Sequence, residues 1–117
     1  MIRLIIGVSE TFDSAHFIPN HERCGRVHGH TYKVEVEVEG ELKDGMIVDF
    51  ADLKAILGDI VAKYDHRLIN ELIENPTCEN LCIAIYEEIE DRLKDSGLKV
   101  VRVKVYENPD KWAEIRL

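Results

Sequence analysis

The chain has no apolar run near the roughly 20 residues needed to cross a bilayer. Its start, Met-Ile-Arg-Leu, lacks the basic, apolar and small-residue sections of a signal peptide. No membrane partner is expected, and the expected location is cytoplasmic. Basic residues are in deficit, with 15 Lys and Arg against 23 Asp and Glu, for a net charge of −8. That balance argues against nucleic acid as a partner, because phosphate backbones are bound by basic faces. It also repels an anionic small molecule unless basic residues gather at the mouth of its site. Cysteine is scarce, and the count of three is odd. Cys78 and Cys82 stand four apart in a helical pattern, so they share a helix face and are poorly placed to bridge each other. Both read as core or semi-buried thiols of a reducing compartment. Repeats, linkers and low-complexity segments are lacking too, and 117 residues suffice for one core, so residues 1–117 read as a single domain.

What is present is hydrophobic patterning of two periods. Residues 2 to 13 are β-rich and deliver His16 at their end. Ile18 to Arg26, with Pro19, Asn20 and Gly25, reads as a loop. From Thr31 to Glu39 the alternation is strict, with Tyr32, Val34, Val36 and Val38 on one face, as in a half-buried antiparallel strand. A turn is expected at Lys43-Asp44-Gly45. Leu53, Ile56, Leu57, Ile60 and Val61 recur at helical spacing after Asp49, and the pattern stops near Tyr64. Thr77 reads as the N-cap of a second helix carrying Leu81, Ile85, Ile89 and Leu93, which Gly97 is expected to close. Val101, Val103 and Val105 mark a third strand, Asn108-Pro-Asp a turn, and Lys111 to Leu117 a last strand. The order ββααββ predicts an α+β fold, an antiparallel sheet with both helices on one face. Its two sheet edges invite partner subunits.

Histidine is concentrated. Four of the five, His16, His21, His28 and His30, lie in one short stretch, around Cys24-Gly-Arg-Val-His28-Gly-His30. If the strand begins at residue 28, His28 and His30 share a face with Tyr32 and the valines, about 7 Å apart along the strand. With His16 folded in from the neighbouring strand, three imidazoles could hold zinc and leave a fourth position open. Copper, iron and nickel accept the same donors. Cys24 either completes a closed structural site with the three histidines or stands off the metal as a general base or nucleophile. Asp65-His66, a carboxylate beside an imidazole, is the evident relay for such a thiol. Glu107 is an acid at the end of the third strand.

Six pieces of the chain together resemble the 6-pyruvoyltetrahydropterin synthase and 6-carboxytetrahydropterin synthase family. They are Phe12-Asp-Ser-Ala-His16, Cys24-Gly-Arg-Val-His28-Gly-His30, Val48-Asp-Phe50, Asp65-His66-Arg-Leu-Ile-Asn70, Pro76-Thr-Cys-Glu-Asn80 and Val105-Tyr-Glu107. The resemblance implies the tunnelling fold, or T-fold, in which ββααββ subunits join sheets into rings, two rings commonly making a homohexamer as a dimer of trimers. It implies zinc on His16, His28 and His30, Cys24 as the proton-abstracting thiol, and Asp65 and His66 as its relay. It further implies that Glu107 anchors a pterin ring, helped by Thr77 and the adjacent backbone at Cys78, where many relatives carry a small or hydroxylated residue.

The substrate implied is a small-molecule pterin triphosphate, 7,8-dihydroneopterin triphosphate or a close relative. The short spacing from Cys24 to His28 resembles the branch that makes 6-carboxy-5,6,7,8-tetrahydropterin, with release of acetaldehyde and triphosphate, in 7-deazaguanine (queuosine or archaeosine) biosynthesis. The alternatives are a 6-pyruvoyltetrahydropterin synthase, a dihydroneopterin aldolase-like activity, or a zinc-stabilised oligomer that binds a pterin or purine without turning it over. Arg23, Arg26 and Arg67 are the basic candidates for the triphosphate.

Overall fold

The computed structural model describes residues 1–117. Two amphipathic helices lie on one face of a four-stranded antiparallel sheet. The strands are β1 (Ile6–His16), β2 (His28–Glu39), β3 (Lys99–Asn108) and β4 (Lys111–Arg116), and the helices are α1 (Phe50–Val61) and α2 (Cys78–Leu93). The strands lie in the order β1-β2-β3-β4, so both helices belong to the single crossover from β2 to β3. The expected α+β architecture is the observed one.

Alternation does most of the work in β2. Tyr32, Val34, Val36 and Val38 are fully buried, while Thr31 and Lys33 are exposed and Glu35 to Glu39 half-buried on the other side. Along β1, Phe12, Ser14 and His16 are buried and Thr11 and Asp13 exposed, so even-numbered residues of both strands face the helices. From the helices come Leu53, Leu57, Ile60 and Val61 of α1 and Leu81, Cys82, Ile85, Ile89 and Leu93 of α2. α1 packs over β1, and α2 over β3 and β4. Asp49 caps α1 by accepting from the Ala51 N–H at 2.8 Å, and Thr77 caps α2 by accepting from the Asn80 N–H at 3.1 Å.

Several boundaries differ from expectation for local reasons. β1 starts at Ile6 rather than residue 2, because its partner β2 runs out at Glu39; the register pairs Ile6 with Val38. It continues to His16 because β2 begins as far back as His28. α2 ends at Leu93, where Ser96 takes the Leu93 carbonyl with its hydroxyl at 2.6 Å, and Gly97 (φ 81°) belongs to the turn before β3. The turn at Lys43 to Met46 has φ of 52° at Asp44 and 81° at Gly45, the doubly positive geometry that a tight hairpin requires.

One expected edge is partly closed. The segment after α1 lies against the end of β1: His66 N–H donates to the Asp13 carbonyl at 2.6 Å and Ala15 N–H to the Arg67 carbonyl at 3.0 Å. The remainder of β1 and the whole of β4 keep free edges.

Candidate metal centre and the groups around it

The strand register assembles the three histidines. His16 at the end of β1 lies directly opposite His28, and Ser14 opposite His30, all on the helix-facing side. The imidazole centroids stand 4.6, 5.2 and 4.9 Å apart for the pairs His16–His28, His16–His30 and His28–His30.

Backbone carbonyls decide which nitrogens are left over. His16 Nδ1 lies 2.7 Å from the Pro76 carbonyl, and His28 Nδ1 lies 2.7 Å from the Arg26 carbonyl. A carbonyl only accepts, so in each ring Nδ1 carries the proton and, in the neutral imidazole, Nε2 presents a lone pair. Those two Nε2 atoms face each other at 3.1 Å. Two lone pairs at that distance repel unless a cation or a proton lies between them. Fixing the ring by its other nitrogen is also how proteins prepare a metal-ligating histidine.

His30 completes the set. Its Nε2 is buried without an aligned hydrogen bond, and its close neighbour is a Glu107 carboxylate oxygen at 3.3 Å. Burial lowers the His30 pKa, the Glu107 charge opposes this, and the other two histidines add to the lowering. The neutral ring, the form a metal binds, is thereby favoured. One ligand atom from each of His16, His28, His30 and Glu107 falls within a common 4.8 Å. This donor set, three imidazoles and a carboxylate, suits zinc.

Glu107, expected as an anchor for substrate, stands beside the three imidazoles. Its position continues the inward pair Val103 and Val105; upstream, a shift of register in β3 makes Val100 rather than Val101 the core residue opposite Val38. The pairing of β3 with β4 also shifts between Tyr106 and Asn108, and an extra residue at such a bulge re-aims the side chain. The role of the Pro76 carbonyl was not foreseen, because a backbone oxygen leaves no mark in residue type.

Thr77 and Cys78 flank the same region at the start of α2. Thr77 Oγ1 is engaged by the Asn80 N–H, which leaves its O–H free to donate. Cys78 Sγ donates to the Val105 carbonyl at 3.3 Å. Burial, with the Glu107 charge adding to it, pushes the Cys78 thiol up to about 11. Cys78 is therefore a neutral wall of the site at ordinary pH, and Cys82, also raised to about 11 by burial, lies in the core.

Cys24 sits apart from the histidine cluster. Its carbonyl accepts from the Ile18 N–H at 2.6 Å, and its own N–H donates to His21 Nδ1 at 3.0 Å. A Cβ at Gly25 would stand 2.4 Å from the His21 carbonyl, so only glycine lets the loop close this tightly. His21 thus shapes the loop that carries Cys24 and is no part of the cluster. Cys24 Sγ is not among the groups that converge on the histidines, which weighs against a closed site of one thiolate and three imidazoles.

Asp65 and His66 form a second, separate cluster with Asp13. His66 Nδ1 is 2.9 Å from Asp65 Oδ2, and Asp65 Oδ1 accepts the Asp13 N–H at 2.9 Å. Thr31 Oγ1 donates to Asp13 Oδ1 at 2.5 Å. His66 adopts a left-handed φ of 55°, held there by the bond from its N–H to the Asp13 carbonyl. Asp13 is odd-numbered in β1, so this cluster opens on the side away from the helices. One chain therefore brings together His16, His28, His30 and Glu107, and pairs Asp65 with His66, but does not join the two groups.

The pair has a measurable signature. The hydrogen bond that His66 donates to Asp65, and then the Asp65 charge, raise the His66 pKa, while the bond from the Asp13 N–H and then that from His66 lower that of Asp65. In a pH titration followed by NMR, His66 is expected to titrate above the ordinary 6.5, and Asp65→Asn is expected to bring its midpoint down. The pair's contribution to stability is present below the unfolded-state pKa of histidine and fades as pH rises through the folded value. An unchanged His66 midpoint in Asp65→Asn would show that the two side chains do not interact in solution.

Arg23, Arg26 and Arg67 are all exposed. No helix is long and apolar enough to cross a membrane.

With this geometry established, likeness to known proteins gives it a context. The family model for 6-pyruvoyl tetrahydropterin synthase matches residues 5–117. A protein of Archaeoglobus fulgidus, provisionally named 6-carboxy-5,6,7,8-tetrahydropterin synthase, is 56% identical over 114 residues, covering 97% of this chain and 96% of its own. The dihydroneopterin monophosphate aldolase of Pyrococcus furiosus is 37% identical over 105 residues, 90% of each chain. The structure of Caenorhabditis elegans 6-pyruvoyl tetrahydropterin synthase superposes with a TM-score of 0.85 over 100% of this chain and 99% of that one, at 23% identity, which speaks for the fold alone. By the family match across nearly its whole length, and by its likeness to the Archaeoglobus fulgidus protein, this chain belongs to the 6-pyruvoyl tetrahydropterin synthase family.

Proposed function

We propose that this chain is a zinc-dependent 6-carboxy-5,6,7,8-tetrahydropterin synthase, which converts 7,8-dihydroneopterin triphosphate and water to 6-carboxytetrahydropterin, acetaldehyde and triphosphate. The observation that carries the reading is the pair of Nε2 lone pairs of His16 and His28, converging at 3.1 Å beside His30 and Glu107. The name given to the relative at 56% identity supports the branch, and the three unpaired cysteines suit the reducing cytoplasm in which 7-deazaguanine biosynthesis would place the enzyme.

His16, His28 and His30 would hold the zinc, whose chemistry is to acidify the hydroxyls and neighbouring C–H of the bound side chain. Glu107 receives the pterin edge, since a carboxylate offers acceptors to the paired N–H donors of the ring. Thr77 and the backbone at Cys78 border that edge. Cys24 takes the proton from the side-chain carbon, and His66, held charged by Asp65, returns one. Within one chain Cys24 belongs to neither the histidine cluster nor the Asp13–Asp65–His66 cluster, so the relay reaching Cys24 is assigned to a neighbouring subunit. Assembly into a ring, with two trimers forming a hexamer, meets that need and uses the free strand edges.

The Pyrococcus furiosus relative favours a second reading, aldol cleavage of dihydroneopterin monophosphate to 6-hydroxymethyl-7,8-dihydropterin and glycolaldehyde phosphate. A net charge of −8, with three exposed arginines near the site, accommodates a monophosphate more easily than a triphosphate. Incubating the zinc-loaded protein with each phosphate and identifying the products by mass tests both readings. Formation of 6-carboxytetrahydropterin and acetaldehyde is expected. Hydroxymethyl-dihydropterin as the main product assigns the chain to the aldolase reaction, and binding without turnover of either compound reduces it to a pterin-binding oligomer.

A further inference from the structure

Next to the histidines lies a group that the proposed reaction does not use. Tyr32 follows His30 by two residues on the same face of β2 and is fully buried. Its ring stacks on Phe12 at 4.9 Å and meets His30 and His16 edge-on at 5.6 and 5.9 Å. The hydroxyl at its tip is also buried and has no hydrogen-bond partner. A buried, unpaired O–H is costly, and phenylalanine would fill the same space without that cost.

Two needs meet here. Tyr32 and Glu107 are the next residues beyond the cross-strand pair Lys33–Tyr106, and both stand beside His30, Glu107 at 3.3 Å and the Tyr32 ring at 5.6 Å; the charges of Glu107 and Cys78 both bear on the hydroxyl. Cys78 is already bonded to the Val105 carbonyl. Glu107 is an acceptor whose present contact, His30 Nε2 at 3.3 Å, is poorly aligned. That contact is lost when His30 Nε2 is committed to a metal. The carboxylate then lacks a donor, and the hydroxyl lacks an acceptor.

We propose that Tyr32 is a positioning residue whose hydroxyl donates to the Glu107 carboxylate once His30 is committed to the metal, holding Glu107 to receive the ligand. A carboxylate has about four lone-pair positions, so accepting from Tyr32 leaves both oxygens able to accept from a pterin edge. Glu107 then passes from a histidine partner to a tyrosine partner as the site is loaded, which makes metal and ligand binding mutually reinforcing. The ligand half of this inference rests on the pterin reading above; the exchange of partners does not.

The test is a set of melting curves for wild type, Tyr32→Phe, Glu107→Ala and the double variant, each without metal and with zinc. Without metal, Tyr32→Phe is expected to melt at or above the wild-type temperature, because it deletes an unpaired hydroxyl. With zinc the order is expected to reverse, with Tyr32→Phe melting lower by roughly 5 °C or more, the size expected of a hydrogen bond to a charged acceptor in a small domain. In the Glu107→Ala background the reversal should vanish. Zinc affinity, from chelator competition, is expected to stay within about threefold in Tyr32→Phe, since no metal ligand is removed. Neopterin binding to the zinc form, followed by its fluorescence, is expected to weaken about tenfold.

A Tyr32→Phe shift of the same sign and size with and without zinc overturns the inference, as does a reversal that persists in Glu107→Ala. Failure of the wild type to take up zinc overturns both the metal reading and the exchange. Reversal of the melting order without any neopterin binding upholds the exchange and overturns the pterin reading alone.

Discussion

Replacing His28 with alanine is expected to lower zinc affinity by at least about 100-fold while leaving the fold intact. Loss of an outer partner of a metal ligand already costs roughly 10- to 100-fold, so loss of one of three imidazoles lies at or beyond the upper end of that range. The fold survives because His28 is half-buried at the first residue of β2 and lies outside the 19-residue core that Tyr32, Val34, Val36 and Val38 build with the helices. Its Nδ1 bonds only the carbonyl of Arg26, two residues away, and its contact with His16 sets two nitrogen lone pairs against each other, so little that stabilises the fold is lost with it. His16 is a poorer choice for the experiment. It is 1% exposed and holds the Pro76 carbonyl across the core, so its removal mixes metal loss with a packing defect. Metal content after chelator competition, set beside the far-ultraviolet circular dichroism of the same sample, separates the two effects. Retention of zinc at wild-type affinity by His28→Ala would place the metal elsewhere.

That prediction rests on a feature the sequence displayed openly. A strand alternates its side chains, so His28, His30, Tyr32 and three valines at even spacing had to share a face if any of them did. The antiparallel register then needed to bring one more histidine opposite, and His16 stands at the distance a loop of this length allows. Glu107 reads in the sequence only as an acid at a strand end; its inward aim follows Val103 and Val105 and the shift of pairing between Tyr106 and Asn108. What the pattern could not carry was anything set by backbone oxygens or by the path of a loop. The Pro76 carbonyl orients His16 across 60 positions of chain, and no residue type announces it. Asp65 and His66 read as the relay for Cys24 because a carboxylate beside an imidazole suits that role. They lie instead along the free edge of β1, because the Asp13 N–H and carbonyl point there and bind the Asp65 carboxylate and the His66 N–H. The same limit applies to the outer face of the sheet. Its alternating charges were visible, but not that Arg102 gathers Glu35, Glu37 and Glu114 around one guanidinium at 3.3, 3.2 and 3.0 Å. That network depends on strand order, which periodicity does not encode.

The separation of Cys24 from the histidines leads to the other large effect. Cys24→Ala is expected to lower turnover by about 10³-fold, within the range for loss of a positioned acid or base, with zinc content and oligomeric state unchanged. The loop should tolerate the change, because Cys24 is held through its own N–H and carbonyl, by His21 and Ile18, and alanine keeps both. Zinc should stay because the thiol is not part of the histidine cluster. Serine at this position keeps the shape but is a much weaker acid than a thiol, so Cys24→Ser is expected to resemble alanine in rate. A fall in zinc content with Cys24→Ala would instead mean that the loop closes onto the metal and that the site is structural. Full turnover by Cys24→Ala would remove the thiol from the mechanism. The relay can be located with the same variant. His66→Ala is expected to be slow as well, and mixing subunits of Cys24→Ala and His66→Ala, dissociated and reassembled together, should restore part of the activity. Restoration follows if the His66 that serves one thiol comes from a neighbouring chain, since mixed contacts then pair an intact Cys24 with an intact His66. No recovery in verified mixed oligomers would require Asp65 and His66 to reach Cys24 within one chain, where they form a separate cluster.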